Sequence, residues 1–157
     1  MSLADLPGEL DFVEYLQWLK KDNHNFIRLW TWELLNWDKQ GISDEAKNFQ
    51  VVPHPWARTG PGNALDGKPK FDLQQFDPVY FDRLEHQVKL AFDSGIYVSI
   101  MLFEGWGLQF SPKAFESRPF HPDNNINGIN GDSNNDGSGV EIHTLENKVF
   151  NIPILNS

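Results

Sequence analysis

The sequence predicts an α/β fold with a parallel sheet, and two observations carry that prediction. Two units follow one plan: an amphipathic helix, a very short link, a strand of apolar and aromatic residues, then a long aromatic-rich loop. Helix-to-strand turns are short and strand-to-helix connections long, which sets both long loops at the carboxyl edge of parallel strands. At that edge α/β barrels and open α/β sheets build their sites.

The expected architecture is a partial TIM-barrel-like (β/α) domain with two clear parallel strands, two helices and long loops at the strand C-terminal edge. The chain has 157 residues, whereas a complete barrel takes about 250. Two convincing strands cannot close one. A single incomplete domain over residues 1–157 is expected, with residues 1–9 as a leader or N-terminal arm and 146–157 as a divergent tail.

The first helix spans Leu10–Lys21. Phe12, Leu16 and Leu19 recur at helical spacing and Val13 widens the stripe. Lys20 and Lys21 suit its C-terminal end, and Asn23 can take the left-handed stop conformation. Phe26–Trp32 reads as a mostly buried strand. The connection Glu33–Asp77 far exceeds the roughly two to six residues usual for such loops. Within it, Pro53–Gly62 is rigid and turn-rich and presents His54, Trp56 and Arg58, which favours an ordered, functional loop.

The second helix runs from Pro78 to Phe92, opened by the capping acid Asp77 and a proline at the first helical position. Phe81, Leu84, Val88 and Ala91 share one side, and Gly95 ends the unit. Ile96–Phe103 is a near-continuous apolar run, the pattern of a parallel strand covered on both faces. After Glu104 turn formers take over, above all in Asp123–Gly139, and Val149–Leu155 is a short apolar stretch interrupted by Pro153.

Composition removes several function classes. A net charge of −9, from 13 basic and 22 acidic residues, argues against nucleic-acid binding, which needs a basic surface. No segment reaches the roughly 18 apolar residues of a membrane span. With no cysteine there are no disulfides and no thiolate chemistry. Aromatics stand out at 13% of residues, including 6 Trp, most of them near strand ends or in loops: Trp30, Trp32, Trp37, Trp56 and Trp106. Trp30 suits core packing, whereas Trp56 and Trp106, flanked by Pro and Gly, suit ligand stacking as well as packing.

The candidate site residues follow from position. Arg28 is a charge inside an apolar strand, so it should be buried and paired with carboxylates, either as a structural ion pair or to orient a catalytic acid. Glu33 and Glu104 each sit just past a strand end and would project onto the same edge. Carboxylates about 5 Å apart, or about 6.5–9.5 Å apart, are the machinery of glycosidases. Adjacent strands lie about 4.8 Å apart, so the spacing is reachable. Solvated loop glutamates are the plainer reading. Trp32, His54, Trp56, Arg58 and Trp106 complete the candidate substrate contacts. Asp132, Asn134 and Asp136 resemble the opening of a calcium loop, but the closing glutamate is missing and an Asn/Gly turn region is the competing reading. No metal-binding histidine spacing is present and no cofactor is required.

Taken together, Asn25–Glu33, Pro53–Gly62, Phe71–Leu73, Gly95–Gly107 and Asn124–Gly139 resemble bacterial glycoside-hydrolase-like (β/α)8 proteins of the cellulase-type clan. The resemblance covers roughly Leu10–Leu145. It implies a secreted or periplasmic parent, an oligo- or polysaccharide partner, and Arg28 at the position of the arginine that supports the nucleophile in that clan. It also implies that the chain ends before the strands that carry the clan's acid/base and nucleophile, and Phe103-Glu104 stands where many members have His. The expectation is a fragment that supplies part of a carbohydrate-binding face and is inactive alone. The alternatives are a self-sufficient glycosidase using Glu33 and Glu104, or a non-catalytic saccharide-binding or assembly module. Unpaired strand edges lead us to expect a homo-oligomer that covers them.

Overall fold

The computed structural model describes residues 11–35, 51–102, 105, 108 and 113–140. Over these residues the fold is mixed α/β with two helices and two small sheets, one parallel and one antiparallel. Helix α1 (Phe12–Lys21) starts at Asp11, whose carboxylate accepts from the N–H groups of Val13 and Glu14 at 2.8 and 3.0 Å. Those two donors would otherwise lack partners at the helix start. Asn23 adopts the left-handed conformation (φ 58°) just beyond the helix, and strand β1 (Phe26–Trp30) follows.

The long connection is more than a loop. Strands β2 (Trp56–Asn63) and β3 (Pro69–Phe76) pair antiparallel as an irregular hairpin, with register shifts near Trp56 and between Arg58 and Asn63. Prolines and glycines within and beside these strands break the alternation that would have marked them in the sequence. The hairpin tip is tied by Ala64 N–H to the Lys68 carbonyl at 2.7 Å, with Gly67 at φ 78° in the turn.

Helix α2 (Pro78–Asp93) is capped by Asp77, and strand β4 (Tyr97–Met101) then pairs parallel with β1 in the register Ile27↔Val98 and Leu29↔Ile100. Ile27 and Leu29 face the helices and form a core with Leu16, Leu19, Tyr80 and Ala91. The inward stripe of α2 runs through Tyr80, Leu84 and Ala91, so Phe81 is displaced to an exposed position. A second core lies under the hairpin, where Phe71, Leu73 and Trp56 meet Phe115 and Phe120 from a short 3₁₀ turn, Ala114–Ser117, and its continuation.

Two expectations about the strands are corrected. Among the described residues the parallel sheet is covered on one face only, since Phe26 and Tyr97, paired on the other face, are 55% and 73% exposed. Arg28 is exposed as well, neighbouring Ser99 on the face opposite Ile27 and Leu29. Strand geometry alternates side chains between faces, so burying Ile27 and Leu29 against the helices turns Arg28 outward.

The Asn-rich segment staples the hairpin to the 3₁₀ turn. Asn124 accepts from Leu65 N–H at 2.8 Å and donates to the carbonyls of Glu116 and Arg118 at 2.8 and 2.7 Å. Asn127 accepts from Leu73 N–H and donates to Asp72. No helix among the described residues is long and apolar enough to cross a membrane.

Candidate functional site

The carboxyl ends of β1 and β4 converge on a small cavity. Past β1, Thr31 ties the two strands together, since its N–H and its hydroxyl both donate to the Met101 carbonyl, at 3.1 and 2.7 Å. Leu35 N–H then donates to the Ser117 carbonyl at 2.9 Å, holding Thr31–Leu35 beneath the 3₁₀ turn. Glu33 lies in this buried run with only 1% of its side chain exposed. Arg118, fully buried at the end of that turn, brings Nη1 to 3.8 Å from Glu33 Oε2. A buried carboxylate is tolerable only with a compensating charge, and Arg118 supplies it.

The cavity above Glu33 has a volume of about 200 Å³. Pro55, Trp56 and Phe76 wall it from the hairpin side, Tyr80 and Leu84 from α2, and Leu102 from the end of β4. Its aromatic walls are set by edge-to-face contacts: Trp56 against Phe120 at 5.0 Å and Phe76 against Phe81 at 5.1 Å. Such pairs add to the stabilisation from area burial and fix ring orientation. Burial pushes the Tyr80 phenol well above its usual pKa and the charge on Glu33 adds to this, with Thr31 acting in the opposite direction. Tyr80 therefore stays neutral throughout the working pH range.

Of the residues singled out from the sequence, Glu33 and Trp56 come together at this cavity. Trp32 is buried on another side, packed with Leu34 and Val51 and tilted against Trp30 at 5.7 Å. His54 is buried; its Nε2–H donates to the Leu34 carbonyl at 3.0 Å, and its ring meets Phe71 edge-on at 4.9 Å. Burial first, and the Arg58 charge second, lower its pKa to about 3. Arg58 lies 4.0 Å over the Phe71 ring and holds Asp66 through both terminal nitrogens. These contacts give His54 and Arg58 roles in holding the hairpin. Arg28 stands apart, exposed on the sheet face opposite Ile27 and Leu29. Glu104 and Trp106 lie outside the described residues, as do residues 1–9 and the 146–157 tail.

The calcium-like stretch is closed by its own backbone. Asp132 accepts from Gly137 N–H at 2.8 Å, Asn134 from Asp136 N–H at 2.8 Å, and Asp136 from Ser138 N–H at 2.8 Å. This is side-chain-to-backbone turn chemistry. Among the described residues no group of three or more His, Asp or Glu side chains is placed to hold a metal ion.

Arg118, Tyr80 and Phe76 are cavity or support residues that sequence reasoning missed. Tyr80 had a usable signal, because Tyr80, Leu84 and Ala91 also recur at helical spacing. Arg118 had none, sitting in an irregular turn 85 positions from its partner (118 − 33). A scan against protein-family models returned no match, and neither curated proteins nor solved structures showed one.

Proposed function

We propose that this chain supplies part of a carbohydrate-binding face, as a partial (β/α)8-type domain resembling the glycoside-hydrolase-like group. The observation that carries the reading is the aromatic-walled cavity at the carboxyl end of β1 and β4, with Glu33 at its floor. Saccharides bind through the apolar faces of their rings on aromatic side chains, with a few polar groups fixing orientation. Trp56 and Phe76 offer the faces. Glu33, neutralised by Arg118, lies buried beneath them. Among the described residues Glu33 is the one carboxylate lining the cavity, half of a glycosidase pair, and binding without bond cleavage is the behaviour we propose.

The test is titration with neutral gluco-, xylo- and manno-oligosaccharides, following Trp fluorescence and, in parallel, release of reducing ends. We expect saturable quenching without new reducing ends, weakened about tenfold by Trp56→Ala, the size of a lost stacking contact. Fluorescence unchanged by every oligosaccharide at millimolar concentration overturns the proposal. Turnover that requires Glu33 would instead favour the self-sufficient enzyme.

A second reading, an assembly module, draws on β4. Among the described residues it pairs with β1 alone. Beside it an apolar groove runs along Phe81, Leu84, Val88, Phe92 and Ile100. Exposed edges and apolar faces of this kind favour association with another chain.

A further inference from the structure

Helix α2 carries two stripes, and the core takes up only one of them. Tyr80, Leu84 and Ala91 face inward. A quarter-turn round the helix, Phe81, Glu85, Val88 and Phe92 recur at i, i+4, i+7 and i+11. This second stripe borders an open groove whose other wall is Ile100 of β4. Through Phe81 and Leu84 the groove runs on towards Leu102. Phe92 is 78% exposed and Leu102 65%, and Phe81 and Ile100 are exposed too. A continuous exposed apolar strip of this kind marks an interaction surface.

Spacing and charge together select the partner. The stripe is nearly the same from either end: Phe81 and Phe92 close it, and Glu85 and Val88 stand at equal distances from its middle. A second α2 laid antiparallel along it sets Phe81 against the partner's Phe92, and Val88 against the partner's Glu85. Glu85 and Lys89 share the outer flank of the stripe, one turn apart. Each Glu85 therefore comes beside the partner's Lys89, only about 1.5 Å off level along the axis. A two-fold axis forms this ion pair twice and matches each surface to its own copy. Within one chain Lys89 holds Asp93 at 2.9 Å, an exposed pair that exchanges at little cost.

We infer that two copies of this chain dimerise through α2, antiparallel about a two-fold axis, burying Phe81 against the partner's Phe92 and pairing Glu85 with the partner's Lys89. The inference rests on the assembly reading above and specifies its contact.

The experiment measures mass by sedimentation equilibrium for the full chain and four variants. The parent should sediment as a dimer, and Phe92→Glu, at a position already exposed, should leave a folded monomer. Glu85→Lys and Lys89→Glu should each weaken the dimer about tenfold, since each sets like charges together twice. The double variant, Glu85→Lys with Lys89→Glu, should recover the parent's affinity. Mixed in equal amounts, the two single variants should form a heterodimer as tight as the parent, because every interchain pair is again of opposite sign. An effect confined to one helix would not be repaired by mixing. A dimer that Phe92→Glu leaves intact, or single variants that fail to complement each other, overturns the inference and leaves assembly along the edge of β4 standing. A monomeric parent overturns both. If Phe92→Glu then lowers the thermal midpoint, the groove holds a segment of the same chain, and if it does not, the groove serves a different partner.

Discussion

His54 makes the stability of this fold depend on pH by a calculable amount. Buried beside Phe71 with Nε2–H donating to the Leu34 carbonyl, it is held neutral, with a pKa lowered from 6.5 to about 3. In the unfolded chain the imidazole regains its ordinary value and binds a proton as the pH drops below about 6.5. The folded pKa is the lower of the two, so the stabilisation is fully present above the unfolded value and lost as pH falls towards the folded one. Each unit of pH inside that window costs about 1.4 kcal/mol. Going from pH 8 to pH 5 therefore removes about 2 kcal/mol through this one side chain. Against a typical total of about 5–15 kcal/mol, that is a large change. Urea unfolding followed by Trp fluorescence at pH 8, 6.5 and 5 measures it, with His54→Gln as the reference. Glutamine keeps a donor for the Leu34 carbonyl and does not titrate. The parent should lose about 2 kcal/mol more than His54→Gln between pH 8 and 5. Identical pH dependence in the two proteins would refute the reasoning.

Arg118→Met should destabilise the fold by about 3–5 kcal/mol, because it leaves Glu33 buried without its counter-charge. Adding Glu33→Gln should restore at least half of that loss, and a single-variant loss below about 1 kcal/mol would contradict the pairing. The edge of β4, which pairs with β1 alone among the described residues, should support self-association, visible by light scattering as a mass above that of one chain. Tyr97→Lys with Ile100→Lys, placed on the exposed strand, should shift the population towards monomer. A monodisperse parent monomer would count against assembly through this edge.

The helices and the parallel strands were legible because their signals are local. Asp77-Pro78 marks the start of the second helix by capping chemistry, Leu16 and Leu19 recur at the helical period, and Ile27 and Leu29 belong to a compact apolar run. The hairpin was not legible, since Gly60, Pro61, Gly62 and Pro69 erase the two-residue alternation and its pairing is irregular. A small part of the cavity was foreseeable. Glu33 follows a strand and so had to lie at the carboxyl edge, and Trp56 stood out in a rigid segment. His54 and Arg58 stood out for the same reason and turned out to brace Phe71.

What the sequence determined by itself is the α/β class, the order of the helix–strand units and the edge at which their long connections emerge. Periodicity and capping act within one or two turns of chain, so they can be read without knowing the partners. Tertiary structure alone decided that Arg28 faces outward, that Arg118 neutralises Glu33, that Asn124 and Asn127 staple the hairpin, and that Tyr80 is buried at the cavity wall. Each of these depends on which face of an element is buried, or on groups brought together from distant parts of the chain. The desolvation that makes such groups matter exists only once the elements have packed.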